Sequence, residues 1–172
     1  AAVDDSGGMA EEQARLAEGF PRLLDALASV PGGVPSLHLG VISTDVGTGG
    51  VDLGRCSPAS APDGDDGRLL TNDCAGLTAT YLEDLRGPDG ARVRNYAGEL
   101  PASFACMTRL GTTGCSVTAP LEAMRRALSP DANPGFLRPT AKLAIVILTT
   151  EDDCSAAPGG ALFGDPDRRG RA

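Results

Sequence analysis

Two apolar segments run directly into acidic, hydroxyl-rich turns. Near the start Val3 precedes Asp4-Asp5-Ser6-Gly7-Gly8-Met9, and far along the chain the apolar run of residues 143–148 leads into Thr149-Thr150-Glu151-Asp152-Asp153-Cys154. Between them Leu16, Phe20, Leu23, Leu24 and Leu27 recur at helical spacing behind Glu11 and Glu12, whose carboxylates suit a helix amino terminus. This predicts one amphipathic helix, or two in line, closed by Pro31-Gly32-Gly33. Pro21 removes an interior hydrogen bond at a cost of about 3 kcal/mol, so a kink or restart near Gly19 is expected. Residues 37–44 alternate, with Leu37, Leu39 and Val41 on one side, and predict a strand delivering Ser43-Thr44-Asp45 at its carboxyl end.

Pro101 with the stripe Leu100, Phe104, Met107 and Leu110 predicts a second helix, broken by Gly111-Thr112-Thr113-Gly114. Pro120 and Glu122 open a third, with Leu121, Met124 and Leu128 facing inward and Arg125 and Arg126 late, before Asn133-Pro134-Gly135. The branched run 143–148 suits a strand buried on both faces. Strand and helix alternate, which predicts an α/β domain with a doubly wound, mostly parallel sheet flanked by helices. Residues 46–98 lack sustained periodicity and read as an elaborated loop or edge region, with a short edge strand around residues 68–71 or a tether at Cys56 and Cys74. One domain is expected over residues 1–172. It reads as incomplete at both ends: only three residues precede the first acidic turn, and no further strand is predicted after Cys154.

Composition narrows the function classes. The chain carries 15 basic against 23 acidic residues, a formal charge of -8, with no basic cluster beyond Arg168-Arg169-Gly170-Arg171, and 3% aromatic residues without Trp. Phosphate-backbone binding and base stacking are both disfavoured. No apolar run reaches the roughly 18 residues of a membrane-spanning helix. The five cysteines, Cys56, Cys74, Cys106, Cys115 and Cys154, form no C-x-x-C pair, which favours disulfides over zinc and therefore an extracytoplasmic setting, with buried reduced thiols as the alternative. Loop-closure entropy favours Cys56 with Cys74 and Cys106 with Cys115, leaving Cys154 single.

In an open parallel sheet ligands bind beyond the carboxyl ends of the strands, so the two acidic turns on neighbouring strands would converge on one hard cation. The order of a strand, Asp4-x-Ser6-x-Gly8-Met9, an amphipathic helix, Gly111-Thr112-Thr113-Gly114 and a buried strand ending in acids resembles a von Willebrand factor A (vWA) domain. The wording from Asp4 to Gln13, from Leu110 to Cys115, of Pro120 to Leu128 and of Thr149 to Ser155 is similar to vWA proteins of myxobacteria and related bacteria, often exported or lipid-anchored. The resemblance implies a Rossmann-like fold, here ending after the fourth core strand. It also implies a metal-ion-dependent adhesion site for Mg²⁺, or Mn²⁺ or Ca²⁺, completed by an acidic side chain from a protein partner. Carried over, Asp4 and Ser6 match the first turn, Thr113 or Thr112 the second loop, and Glu151 or Asp152 the third, directly or through water. Gly8 stands where the family has a second serine, and Thr150 where it has an aspartate.

Other readings stand beside this one. Asp4 and Ser6 suit a helix amino-terminal cap, and Glu151 to Asp153 a solvated turn. A vWA domain without metal would act as an interaction scaffold. Asp4 as a phosphoryl-transfer nucleophile would need a second Asp where Ser6 stands. Asp63-Gly64-Asp65-Asp66-Gly67 departs from calcium-loop spacing and reads as a solvated turn, and glycine-rich residues 47–54 lack the strand-to-helix setting of a phosphate loop. His38, the single histidine, lies about six residues, roughly 20 Å, from the acidic end of its strand. A partly exposed or core histidine is expected rather than a member of a catalytic triad.

Overall fold

The computed structural model describes residues 1–49, Cys56, 63–74 and 76–155; residues 50–54 of the glycine-rich stretch and the basic residues 168–171 lie outside this set. Among the described residues there are three helices and two three-stranded sheets. The parallel sheet has β1 (Ala2–Val3) at its centre, β3 (Ile42–Ser43) on one side and β6 (Ile147–Leu148) on the other. The second sheet is antiparallel and joins β2 (Leu37–Leu39), β4 (Leu82–Arg86) and β5 (Arg92–Arg94). The α/β class holds, but half of the strands lie outside the parallel sheet.

The alternating segment 37–44 is divided between the sheets. Its first half pairs with β4 and its second half with β1, with the break at Gly40 and Val41. Gly40 packs so closely on Leu69 and Phe136 that a Cβ there would collide with the Leu69 side chain. Its carbonyl accepts from the Ala1 nitrogen at 2.6 Å, and Ile42 N donates to Ala1 O at 2.9 Å, so the chain changes sheets without leaving these groups unpaired. The β4–β5 hairpin supplies the structure within residues 46–98. The expected edge strand near residues 68–71 does not form among the described residues; that stretch gives the segment between β2 and β3 one backbone bond, from Leu70 N to Val41 O at 2.8 Å.

Helix α1 (Ala10–Ser29) runs unbroken through Pro21. Pro21 lies on the exposed side, while the opposite side is fastened by Phe20, stacked on Phe104 with ring centroids 4.1 Å apart. Tertiary packing thus outweighs one missing bond. Helix α2 (Leu100–Met107) buries the predicted stripe Leu100, Phe104 and Met107. With Val3, Phe20, Val41, Leu82 and Tyr96 these residues form the core on one face of β1. Helix α3 (Pro120–Ala127) covers the other face, where Ala119, Ala123 and Ala127 pack against Ala2, Ile42, Val46 and Leu69. The inward stripe is therefore small: Leu121, expected inside, is 50% exposed, because only alanine lets the helix sit close to the sheet.

The run 143–148 is not buried on both faces. Leu143, Ile145, Val146 and Ile147 are 41 to 50% exposed, since β6 is an outer strand and its far edge has no partner among the described residues. The disulfides also pair differently from the entropic expectation, as Cys56–Cys115 and Cys74–Cys106, with Cys154 free. The shorter loops would be favoured by only about 2 kcal/mol for both bridges together. The turn before Cys74 docks on the end of α2, where Asn72 Nδ2 donates to Arg109 O and to Cys106 O (3.4 Å), and this sets Cys74 beside Cys106. Two bridges point to an oxidising, extracytoplasmic environment. Among the described residues no helix is long and apolar enough to cross a membrane.

Candidate functional site at the acidic edge

The carboxyl ends of β1 and β3 deliver the first acidic turn and Ser43-Thr44-Asp45 to the same edge of the parallel sheet. Asp4 is wholly buried. Its Oδ1 accepts from Ser6 N and its Oδ2 from Thr149 Oγ1, both at 2.8 Å, so it ties the turn after β1 to the turn after β6. Buried Gln13 adds a second tie: Nε2 donates to Asp4 O (2.9 Å) and Gly111 O (2.8 Å), and Oε1 accepts from Gly111 N (3.2 Å). One amide clamps the first acidic turn to the Gly111-to-Gly114 loop. Ser6 is 3% exposed in this turn, and Gly8 has φ +99°, a conformation that strains any residue with a Cβ. The second family serine would be strained here.

Asp45 and Asp65 lie near enough to Asp5 at this edge for their charges to act on its carboxyl group. Gly114 N donates to Asp5 O at 2.8 Å, and the Asp5 carboxylate lies so close over Gly114 that no side chain fits there. Asp45 Oδ1 accepts from Gly47 N (2.8 Å) and Oδ2 from Cys115 N (3.4 Å). Asp65 is held by its N–H to Asp45 O (3.0 Å) and by Ser43 Oγ donating to its Oδ2 (2.6 Å). The turn expected to be solvated is thus folded onto the sheet edge. Among the described residues two polar side-chain atoms are buried without a partner, Asp5 Oδ1 and Thr44 Oγ1. Burial, and then the charges of Asp45, Asp65 and Asp4, push the Asp5 carboxyl up from 3.8 to about 7.

The other predicted ligands are spread around this edge. Thr113 is exposed, and so are the Glu151 and Asp152 side chains. Glu151 N donates to Thr149 Oγ1 (3.0 Å), which places its backbone next to the hydroxyl that holds Asp4. Asp152 contributes its carbonyl, which accepts from Thr118 Oγ1 at 3.2 Å. Asp153 and Ser155 cap α3 from outside: Asp153 Oδ1 accepts from Leu121 N (3.1 Å) and Ser155 Oγ from Glu122 N (2.8 Å). Among the described residues no three His, Cys, Asp or Glu side chains close around a common point. Donors for a hard cation are nevertheless present, in the free oxygens of Asp5 and Asp65 and the hydroxyls of Ser6 and Thr44.

Sequence reasoning missed Asp5, Asp45, Asp65 and Gln13. Asp45 was within reach, because a polar strand end beside β1 has the same standing as the first acidic turn. Asp65 carried no such signal. His38 is a core histidine, with its side chain 8% exposed, Nδ1 donating to Phe136 O (2.7 Å) and its ring against Tyr81 and Phe136. In comparisons with known proteins, no family model matches the chain, and no curated protein or solved structure matches it.

Proposed function

We propose that the chain is an extracytoplasmic protein-binding or adhesion module of vWA-like fold whose acidic edge binds a divalent cation. The reading rests on one observation above the others: a carboxylate oxygen of Asp5 is buried without a hydrogen-bond donor while its charge faces Asp45 and Asp65. Such a group requires either a proton or a cation. Asp5 and Asp65 would hold the ion, Asp45 and the predicted ligands Asp4 and Ser6 would act through water, and Thr113, Glu151 and Asp152 at the rim would meet an acidic side chain of the protein partner. Mg²⁺ keeps several waters readily, which suits donors spaced too widely for a closed cage. In this reading the parallel strands β3, β1 and β6 are the centre of the family's doubly wound sheet, and the setting is that of an exported or lipid-anchored bacterial protein.

A metal-free interaction scaffold is the second reading, favoured by the hydrogen bonds that already occupy Asp4 and Asp153. An aspartyl phosphotransferase is disfavoured, because a nucleophile needs access and Asp4 has none. The test is calorimetric titration of the chelator-treated protein with Mg²⁺, Mn²⁺ and Ca²⁺, alongside Asp5→Asn and Asp45→Asn. Saturable heat in the parent, weakened in both variants, supports the cation. Silence with all three ions leaves the scaffold.

A further inference from the structure

Three of the chain's arginines come together on the β4–β5 hairpin, away from the acidic edge. Arg86, Arg92 and Arg94 line a cavity of about 440 Å³ between the β4–β5 hairpin, α1 and the start of α2. That volume falls within the range of small-molecule sites. Leu37, at the amino-terminal end of β2, pairs with Asp84, whereas the acidic edge follows the carboxyl end of β3, so the two regions are distinct.

Arg92 is committed to the framework. Its Nε donates to Asp84 Oδ1 (2.5 Å), Nη1 to Val34 O (3.0 Å), and Nη2 to Pro35 O (3.0 Å) and Asp84 O (2.8 Å). Asp84 is 4% exposed and also accepts from Tyr96 OH at 2.5 Å. Arg94 is differently placed: its Nε lies 3.5 Å from Asp84 Oδ2, its guanidinium carbon is 5.7 Å from the Tyr96 ring centroid, and its side chain is 38% exposed. Arg86 spends one donor on Gly32 O. Among the described residues no acid other than Asp84 pairs with these arginines. One buried carboxylate therefore orients Arg92 and Arg94, and Arg86 has no acidic partner among the described residues.

We propose that this cavity binds an organic monocarboxylate with an apolar body. The carboxylate bridges Arg94 and Arg86, whose planar forks suit two-oxygen recognition. The apolar body lies on Leu24, Val34, Leu100 and Pro101, the carbon lining of the same cavity. Charge sets the valence: Asp84 and rim residue Glu99 leave one net positive charge among the lining residues, which suits a monoanion better than a dianion. Glu99 acts as a discriminator, repelling a second negative charge.

Calorimetry with sodium hexanoate at pH 7, with inorganic sulfate and phosphate as comparison probes, tests the site. Saturable hexanoate binding is expected, weakened about tenfold or more by Arg94→Ala and partly restored by Arg94→Lys, which keeps charge but not the fork. Glu99→Gln tightens hexanoate binding a few-fold and brings in sulfate, while Asp45→Asn at the acidic edge leaves both unchanged. Any of three results overturns the proposal: no saturable binding, equal binding by Arg94→Ala and parent, or sulfate binding the parent as tightly as hexanoate, which would remove the role of the apolar lining.

Discussion

Asp4 and Asp5 are adjacent in sequence and opposite in physical state. Asp4 is buried with a donor on each oxygen, so its charge is compensated, whereas Asp5 has a buried oxygen without a donor and two acidic neighbours. For Asp5 the folded-state pKa, about 7, lies above its ordinary 3.8, so the stability linked to its protonation is complete below pH 3.8 and is lost as pH rises to about 7. One unit corresponds to about 1.4 kcal/mol, and because Asp5 is partly exposed the loss is on the order of 2 to 3 kcal/mol after screening. Urea unfolding across pH should show Asp5→Asn matching the parent near pH 3.5 and exceeding it by that amount at pH 8. An unchanged pH slope in the variant would remove Asp5 as its source. Asp4→Ala is a different experiment: it strips a buried framework acceptor from two donors and should cost about 2 to 4 kcal/mol in the presence of chelator. Loss of ion binding in that variant would therefore say little about ligation, and the cation question is better put to Asp5 and Asp45.

The elements are held by contacts from distant parts of the chain. The residue preceding α3, Ala119, offers no side-chain cap, and the amides of Leu121 and Glu122 are satisfied by Asp153 and Ser155, more than thirty positions on. Asp153→Ala or Ser155→Ala should each cost about 1 kcal/mol, with faster hydrogen exchange at those two amides. If exchange there stays unchanged, the cap is not a working one. The same long-range logic separates what the sequence discloses from what it hides. Helical spacing located the three helices of the described residues, and the turn residues located the polar strand ends, because these are local properties. The division of residues 37–44 between two sheets depends on Gly40 meeting Leu69 and Phe136, which periodicity does not record. Asp65 looked solvated because its bonds to Ser43 and Asp45 come from the end of β3 and the turn after it, twenty or more residues earlier. In α3 the larger side chains were taken for the inner face, yet the close approach to the sheet selects alanine.

At the scale of the whole molecule, bridges and edges govern behaviour. Cys74–Cys106 joins the segment before β4 to α2 across a separation of 32 residues. Opening such a loop should cost about 3 to 4 kcal/mol, and peptide mapping without reduction should recover Cys74 with Cys106 and Cys56 with Cys115; recovery of Cys56 with Cys74 would refute this framework. The outer strand carries a different consequence. Residues 143–148 form an uncharged, proline-free apolar run, much of it exposed, and the far edge of β6 has no partner among the described residues. Unpaired N–H and C=O groups along a flat apolar edge are a template for another strand. Glu151, Asp152 and Asp153 follow at one end only, so a neighbouring edge arriving antiparallel would set this acidic end against Lys142 rather than against itself. The 172-residue chain should accordingly self-associate as its concentration rises, seen as a growing sedimentation coefficient, and Ile145→Lys should suppress this while leaving helix content intact. Sedimentation of the parent that stays independent of concentration up to the millimolar range would show that the β6 edge does not drive association.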